Sequence, residues 1–113
     1  MELTQREISD VVVLRISGKL MGGPDAALLN DKLHELSDAG KYKVVVDLSE
    51  VDMMNSTGLG LLIGGRTIMQ NQGGDLKLAS LSDRLRTLLT ISKLNTVFEI
   101  FDDVEAAVAS YSN

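Results

Sequence analysis

Two adjacent hydroxyls, Ser56 and Thr57, stand between Asn55 and the glycine-spaced apolar run Gly58-Leu59-Gly60-Leu61-Leu62. A serine or threonine becomes a nucleophile only when a base or a metal activates it, and a base is hard to find in this chain. His34 is the one histidine and there is no cysteine. His34 falls between Leu33 and Leu36 in a helix-spaced segment, which suits a helix-surface or half-buried position better than a catalytic triad. Met54 holds the place of the first glycine of an esterase elbow. The glycine run lacks the Lys-Ser/Thr ending of a phosphate-binding loop. Asp47, Glu50 and Asp52 form a small acidic cluster nearby, but no histidine or fixed ligand spacing supports a metal site, and a solvated loop is the better reading. No catalytic residue, metal ligand or cofactor is therefore assigned. Arg84, Arg86 and Lys93 suit a solvated helix face, with contact to an acidic partner as the other reading.

The elements that must position these hydroxyls follow from the hydrophobic pattern. Leu3–Ile8 and Val11–Gly18 are strand-like runs separated by a Ser9-Asp10 turn, which predicts a hairpin. A helix begins near Pro24, tolerated in a first turn, and carries Leu29, Leu33 and Leu36 on one stripe, with Gly40 as its stop. The run Val44-Val45-Val46-Asp47-Leu48 suits a central strand covered on both faces, with Asp47 near its carboxyl end, followed by a loop over Ser49–Asn55. A second helix runs from about Ser56 to Asn71 and ends at Gly73-Gly74. Leu76–Ala79 is a strand, Ser82 caps a third helix with Leu85, Leu88 and Leu89, and Thr96–Phe101 is a last short strand. Asp102 and Glu105 make a start resembling a capping box for a C-terminal helix.

The order β-β-α-β-α-β-α-β-α predicts an α/β fold: a mostly parallel central sheet with an antiparallel N-terminal strand and about four helices. In such a sheet Ser56 and Thr57 lie beyond the carboxyl end of a strand, where ligand sites gather, at the cap of a helix. The orphan N–H groups and the dipole of a helix start favour negative charge, so a phosphate can settle there. The plainer reading of the same residues is that Asn55 or Ser56 is simply the N-cap and Thr57 is helix surface. Gly60 and Gly64, four apart on one helix face, are expected to let the helix approach the sheet closely, with approach to a partner as the other reading. Met53 and Met54 flank the hydroxyls, and at least one is expected in the core.

Composition bounds the rest. The 113 residues are 44% hydrophobic and 24% charged, with one proline and no repeat or linker, so residues 1–113 read as a single domain. A formal net charge of -5 argues against direct nucleic-acid binding, which depends on cationic contacts to phosphates. Met1–Glu7 does not read as a signal peptide, and no apolar stretch approaches the roughly 20 residues that span a bilayer. Membrane insertion is not expected, and a cytoplasmic location is.

The stretch Val44–Leu62 resembles the signature of STAS domains in bacterial anti-sigma factor antagonists: an apolar strand, a short loop, then Asp-Ser-Ser/Thr-Gly-Leu-Gly opening a helix. Asn55-Ser56-Thr57-Gly58-Leu59-Gly60 matches at every position but the first. Gly73–Leu78 resembles the family's link into its next strand, and Ser82–Leu94 its third helix and the following turn. The resemblance implies a binding module rather than an enzyme. Its partner would be an anti-sigma factor that is also a serine kinase, met through Met53, Met54, Asn55, Ser56, Thr57, Gly58, Leu59 and Gly60. By the same resemblance the unmodified antagonist binds that kinase and frees sigma, and phosphorylation at Ser56, with Thr57 as second candidate, ends the binding. A homodimer is compatible with this reading. Two departures stand out. Asn55 replaces the usual Asp, and Gly18-Lys19-Leu20-Met21 stands where many relatives have Gly-Glu-Leu/Ile-Asp. The missing acids favour the alternative, a STAS subunit that regulates a transporter ATPase or signalling assembly without phosphorylation.

Overall fold

A computed structural model describes residues 1–112. The strands are β1 (Glu2–Ile8), β2 (Val11–Leu20), β3 (Lys43–Met54), β4 (Asp75–Ala79) and β5 (Ile100–Phe101); the helices are α1 (Pro24–Asp38), α2 (Ser56–Asn71), α3 (Asp83–Ile91) and α4 (Val104–Ser110). One five-stranded sheet in the order β1-β2-β3-β4-β5 holds them together. β1 pairs antiparallel with β2, from Glu2↔Ser17 to Ile8↔Val11, and the remaining pairs are parallel. The expected fold class and element order are those observed.

Alternation along the central strands divides the core. Val12, Leu14, Ile16, Val44, Val46, Leu48, Leu76 and Leu78 point to one face, where Leu29, Leu33 and Leu36 of α1, Leu59, Leu62 and Met69 of α2, and Leu85 and Leu89 of α3 cover them. Val11, Val13, Val45 and Ala79 point to the other, under Val104, Ala107 and Val108 of α4. Two-sided burial explains why Val44–Leu48 reads as an unbroken apolar run.

Several expectations need correction. Ser49–Met54 is the second half of β3, not a loop; only Asn55 separates strand from helix. Its polar residues hide the strand because β2 also runs on, to Leu20, and pairs with it through two register shifts. Asp47 consequently sits mid-strand, although β4 ends opposite it at Ala79. The strand expected over Thr96–Phe101 is only Ile100–Phe101, preceded by a short 3-10 turn at Leu94–Thr96. The cap of α4 is Asp103, whose Oδ1 accepts from the Ala106 N–H at 2.7 Å, while the Asp102 carboxylate is bound to Arg86 at 2.9 Å. Gly60 and Gly64 do not let α2 approach the sheet: both are exposed, with open space where a side chain would stand. Gly58 and Gly65 do that work. A methyl at Gly58 would run into the Leu20 carbonyl, and one at Gly65 would come within 2.7 Å of Leu33 Cδ1 and 3.0 Å of Leu76 Cδ1.

A hydroxyl pair at the start of α2

β3 delivers the chain to the top of the sheet, and α2 begins after a single residue. Asn55 has extended backbone angles, and its Oδ1 accepts from the Gly58 N–H at 2.9 Å, so Asn55 rather than Ser56 is the N-cap. Ser56 is the first residue of α2, and both Ser56 and Thr57 are exposed. No acid lies in the first turn of α2. The charge at this helix start is therefore the partial positive charge of its own N–H groups.

The surrounding residues separate into those that build the start and those that face outward. Met54 is buried against Gly58, and Leu59 is buried in the core. Met53 is 38% exposed, and Gly60 faces solvent one turn beyond Ser56. Of the residues singled out from the sequence, Met53, Ser56, Thr57 and Gly60 thus present an outward surface, while Met54, Gly58 and Leu59 support it from below. The loop between β2 and α1 completes this end of the sheet. The Asn55 amide donates to the Met21 carbonyl at 3.1 Å, and Met21 is 37% exposed. Sequence reading did not include Met21 or Gly22 in the surface. The hint was the departure at Gly18-Lys19-Leu20-Met21, which places the end of β2 near this end of the sheet but does not show that its loop packs on α2.

Of the three nearby acids, Asp47 and Glu50 are held in ion pairs. Arg15 bridges the two, with Nη2 2.9 Å from Glu50 Oε1 and Nε 3.9 Å from Asp47 Oδ2. Asp47 Oδ1 also accepts from the Ser49 N–H at 3.0 Å. Asp52 is exposed. Among the described residues no group of three or more His, Asp or Glu side chains is placed to hold a metal ion. His34 is exposed on α1. A cleft of about 440 Å³ does exist, but it opens at the opposite end of the sheet, beside Lys43 and Gly74, and its lysines are engaged: Lys41 with Glu7, and Lys43 with Asp10 at 2.8 Å. That contact holds the Asp10 carboxyl below its ordinary pKa. Among the described residues no helix is long and apolar enough to cross a membrane.

A mixed sheet with an antiparallel first strand, and a paired hydroxyl at a helix start beyond its central strand, defines a class. The STAS domain family model matches residues 2–107, and the chain belongs to that family. Its relatives include proteins named as anti-sigma factor antagonists. It is 37% identical over 83 residues, 74% of this chain and 75% of the other, to the anti-sigma-B factor antagonist of Bacillus subtilis. A crystal structure of an anti-sigma factor antagonist from Mycobacterium paratuberculosis superposes with a TM-score of 0.86 at 18% identity, covering 99% of this chain and 94% of that one. The Bacillus cell fate determinant SpoIIAA in its phosphorylated form superposes at 0.76 and 19% identity, covering 97% and 99%. These last two likenesses establish the shared fold.

Proposed function

We propose that this chain is an anti-sigma factor antagonist worked by phosphorylation. Unmodified, it binds a serine kinase that is also the anti-sigma factor, through the surface from Met53 to Gly60, and sigma is released. Phosphorylation at Ser56 ends the binding. The observation that carries the reading is the position of Ser56: exposed, first in α2, one residue beyond a neutral N-cap.

The physical argument concerns where the added charge goes. A phosphate brings about -1.5 to -2 charges and three acceptor oxygens. Within the domain the N–H groups of α2 face it, and no first-turn acid opposes it. At a docked interface the same charge must shed water, and a mispaired charge there costs on the order of several kcal/mol. Each 1.4 kcal/mol is about tenfold in affinity. A modification that barely disturbs the fold can therefore abolish a contact. The isolated chain acts by binding and turns over no substrate.

The test uses protein isolated from its own cells, mapped for phosphate by mass spectrometry, with co-purifying proteins identified. Phosphate on Ser56 and an anti-sigma factor kinase bound to the unmodified form are the expected results. A chain free of phosphate at Ser56 and Thr57 and bound to a transporter ATPase would instead establish the unphosphorylated regulatory subunit, the reading that Asn55, Lys19 and Met21 favour.

A further inference from the structure

The first turn of α2 is fastened to the end of β2 by several contacts that converge on Asn55. Its backbone N–H points at the Leu20 carbonyl at 3.4 Å, its Oδ1 caps Gly58 at 2.9 Å, and its Nδ2 donates to the Met21 carbonyl at 3.1 Å. Gly58 lies directly against the Leu20 carbonyl. Gly22 is buried with a φ of +94°, and a methyl there would stand 2.7 Å from Thr57 Cγ2. The Thr57 side chain is thus seated on the loop. Ser56 and Thr57 are both exposed and neither hydroxyl takes part in a hydrogen bond among the described residues, so it is the methyl side of Thr57, not its hydroxyl, that rests on the loop.

We propose that the Asn55 side chain is a latch that holds the Met21–Gly23 loop on α2 and, through the Gly22 contact with the Thr57 methyl, restrains Thr57, so that Ser56 is the residue that accepts phosphate. The choice of acceptor rests on the phosphorylation reading above; the latch itself does not. The chemistry is particular to an amide, which offers an acceptor and a donor at once, whereas a carboxylate offers acceptors only. An aspartate at position 55 would still cap Gly58 but would turn its second oxygen toward the Met21 carbonyl and repel it. A serine would also keep the cap, with no group long enough to reach Met21. Asn55 is in this sense a positioning residue. It joins two segments, each with an exposed methionine, Met21 and Met53, into one surface for a partner.

The experiment compares wild type, Asn55→Ser and Asn55→Asp in two ways. On the pure proteins, ¹⁵N relaxation reports the order of the Met21, Gly22 and Gly23 amides. The wild type should show rigid values near about 0.85 and both variants should fall toward about 0.6, while the Gly58 amide stays protected because the cap survives. In the native cells, phosphosite mapping should find Ser56 alone in the wild type and both Ser56 and Thr57 in the variants. Equal loop order in all three proteins overturns the latch. A freed loop with phosphate still confined to Ser56 overturns the selection of the acceptor. A wild type with no phosphate at either hydroxyl contradicts the phosphorylation reading and the acceptor choice with it, and relaxation alone then decides the latch.

Discussion

At the scale of single residues, the two glycines Gly58 and Gly60 make opposite demands although only two positions separate them. A Cβ at Gly58 meets the Leu20 carbonyl, which is backbone and cannot move aside cheaply. Gly58→Ala should therefore destabilise the fold by about 1–3 kcal/mol or more. Gly60 has open space around it. Gly60→Ala should stabilise by up to about 1 kcal/mol, because glycine is a poor residue in a helix interior. Urea unfolding of the two variants measures both signs, and a Gly58→Ala protein as stable as wild type would contradict the close approach of α2 to β2. Sequence alone could not tell these glycines apart. Both lie in one helical run, and which one meets the sheet depends on the angle at which α2 crosses the end of β2. The cap was closer to legible: asparagine and serine both cap helices, and the short link from Met54 places Asn55, with its extended backbone, in that role.

At the scale of elements, α4 is a short helix held by two polar anchors rather than by area alone. The Tyr111 hydroxyl accepts from the Val44 N–H at 3.2 Å, and its proton is shared between the Val44 and Asp75 carbonyls, both at 2.7 Å. Lys77, buried beneath the helix, donates to Ser110 Oγ at 2.7 Å, pairs with Glu99 at 3.2 Å, and lies 4.1 Å from the centre of the Tyr111 ring. Burial, set against a backbone hydrogen bond that works the other way, raises the Tyr111 pKa far above its ordinary value of 10.0. The folded chain then keeps a proton that the unfolded chain gives up, so stability should fall as pH climbs past about 10. Tyr111→Phe should remove that alkaline slope and cost about 1–3 kcal/mol at neutral pH by orphaning backbone groups. Chemical denaturation from pH 8 to 11 checks both effects, and an unchanged slope in the variant would contradict the anchor. Most elements were readable because their apolar periodicity is strong, as in Val11–Ile16 and Leu29–Leu36. The second half of β3 was not. Ser49-Glu50-Val51-Asp52-Met53-Met54 carries no continuous apolar signal, and it is a strand because β2 extends alongside it. The residues of β5 were over-read for the converse reason: Val97 and Phe98 are apolar to pack the core from a turn, not to extend a strand.

At the scale of the whole molecule, the site is an end of the sheet assembled from segments far apart in the chain. Asn55 and Met21 are thirty-four positions apart and bonded, a contact that no local pattern announces. Because Ser56 faces outward at the mouth of a helix, charge placed there should leave the fold alone: Ser56→Asp should change unfolding free energy by no more than about 0.5 kcal/mol, measured by urea titration, and a larger loss would mean the site is coupled to the core. The decisive quantity is the affinity of the anti-sigma factor kinase recovered from the native cells, determined calorimetrically for the unmodified chain and for the same chain phosphorylated at Ser56. The phosphorylated form should bind on the order of tens of times more weakly or not at all. Equal affinity for the two forms would contradict it.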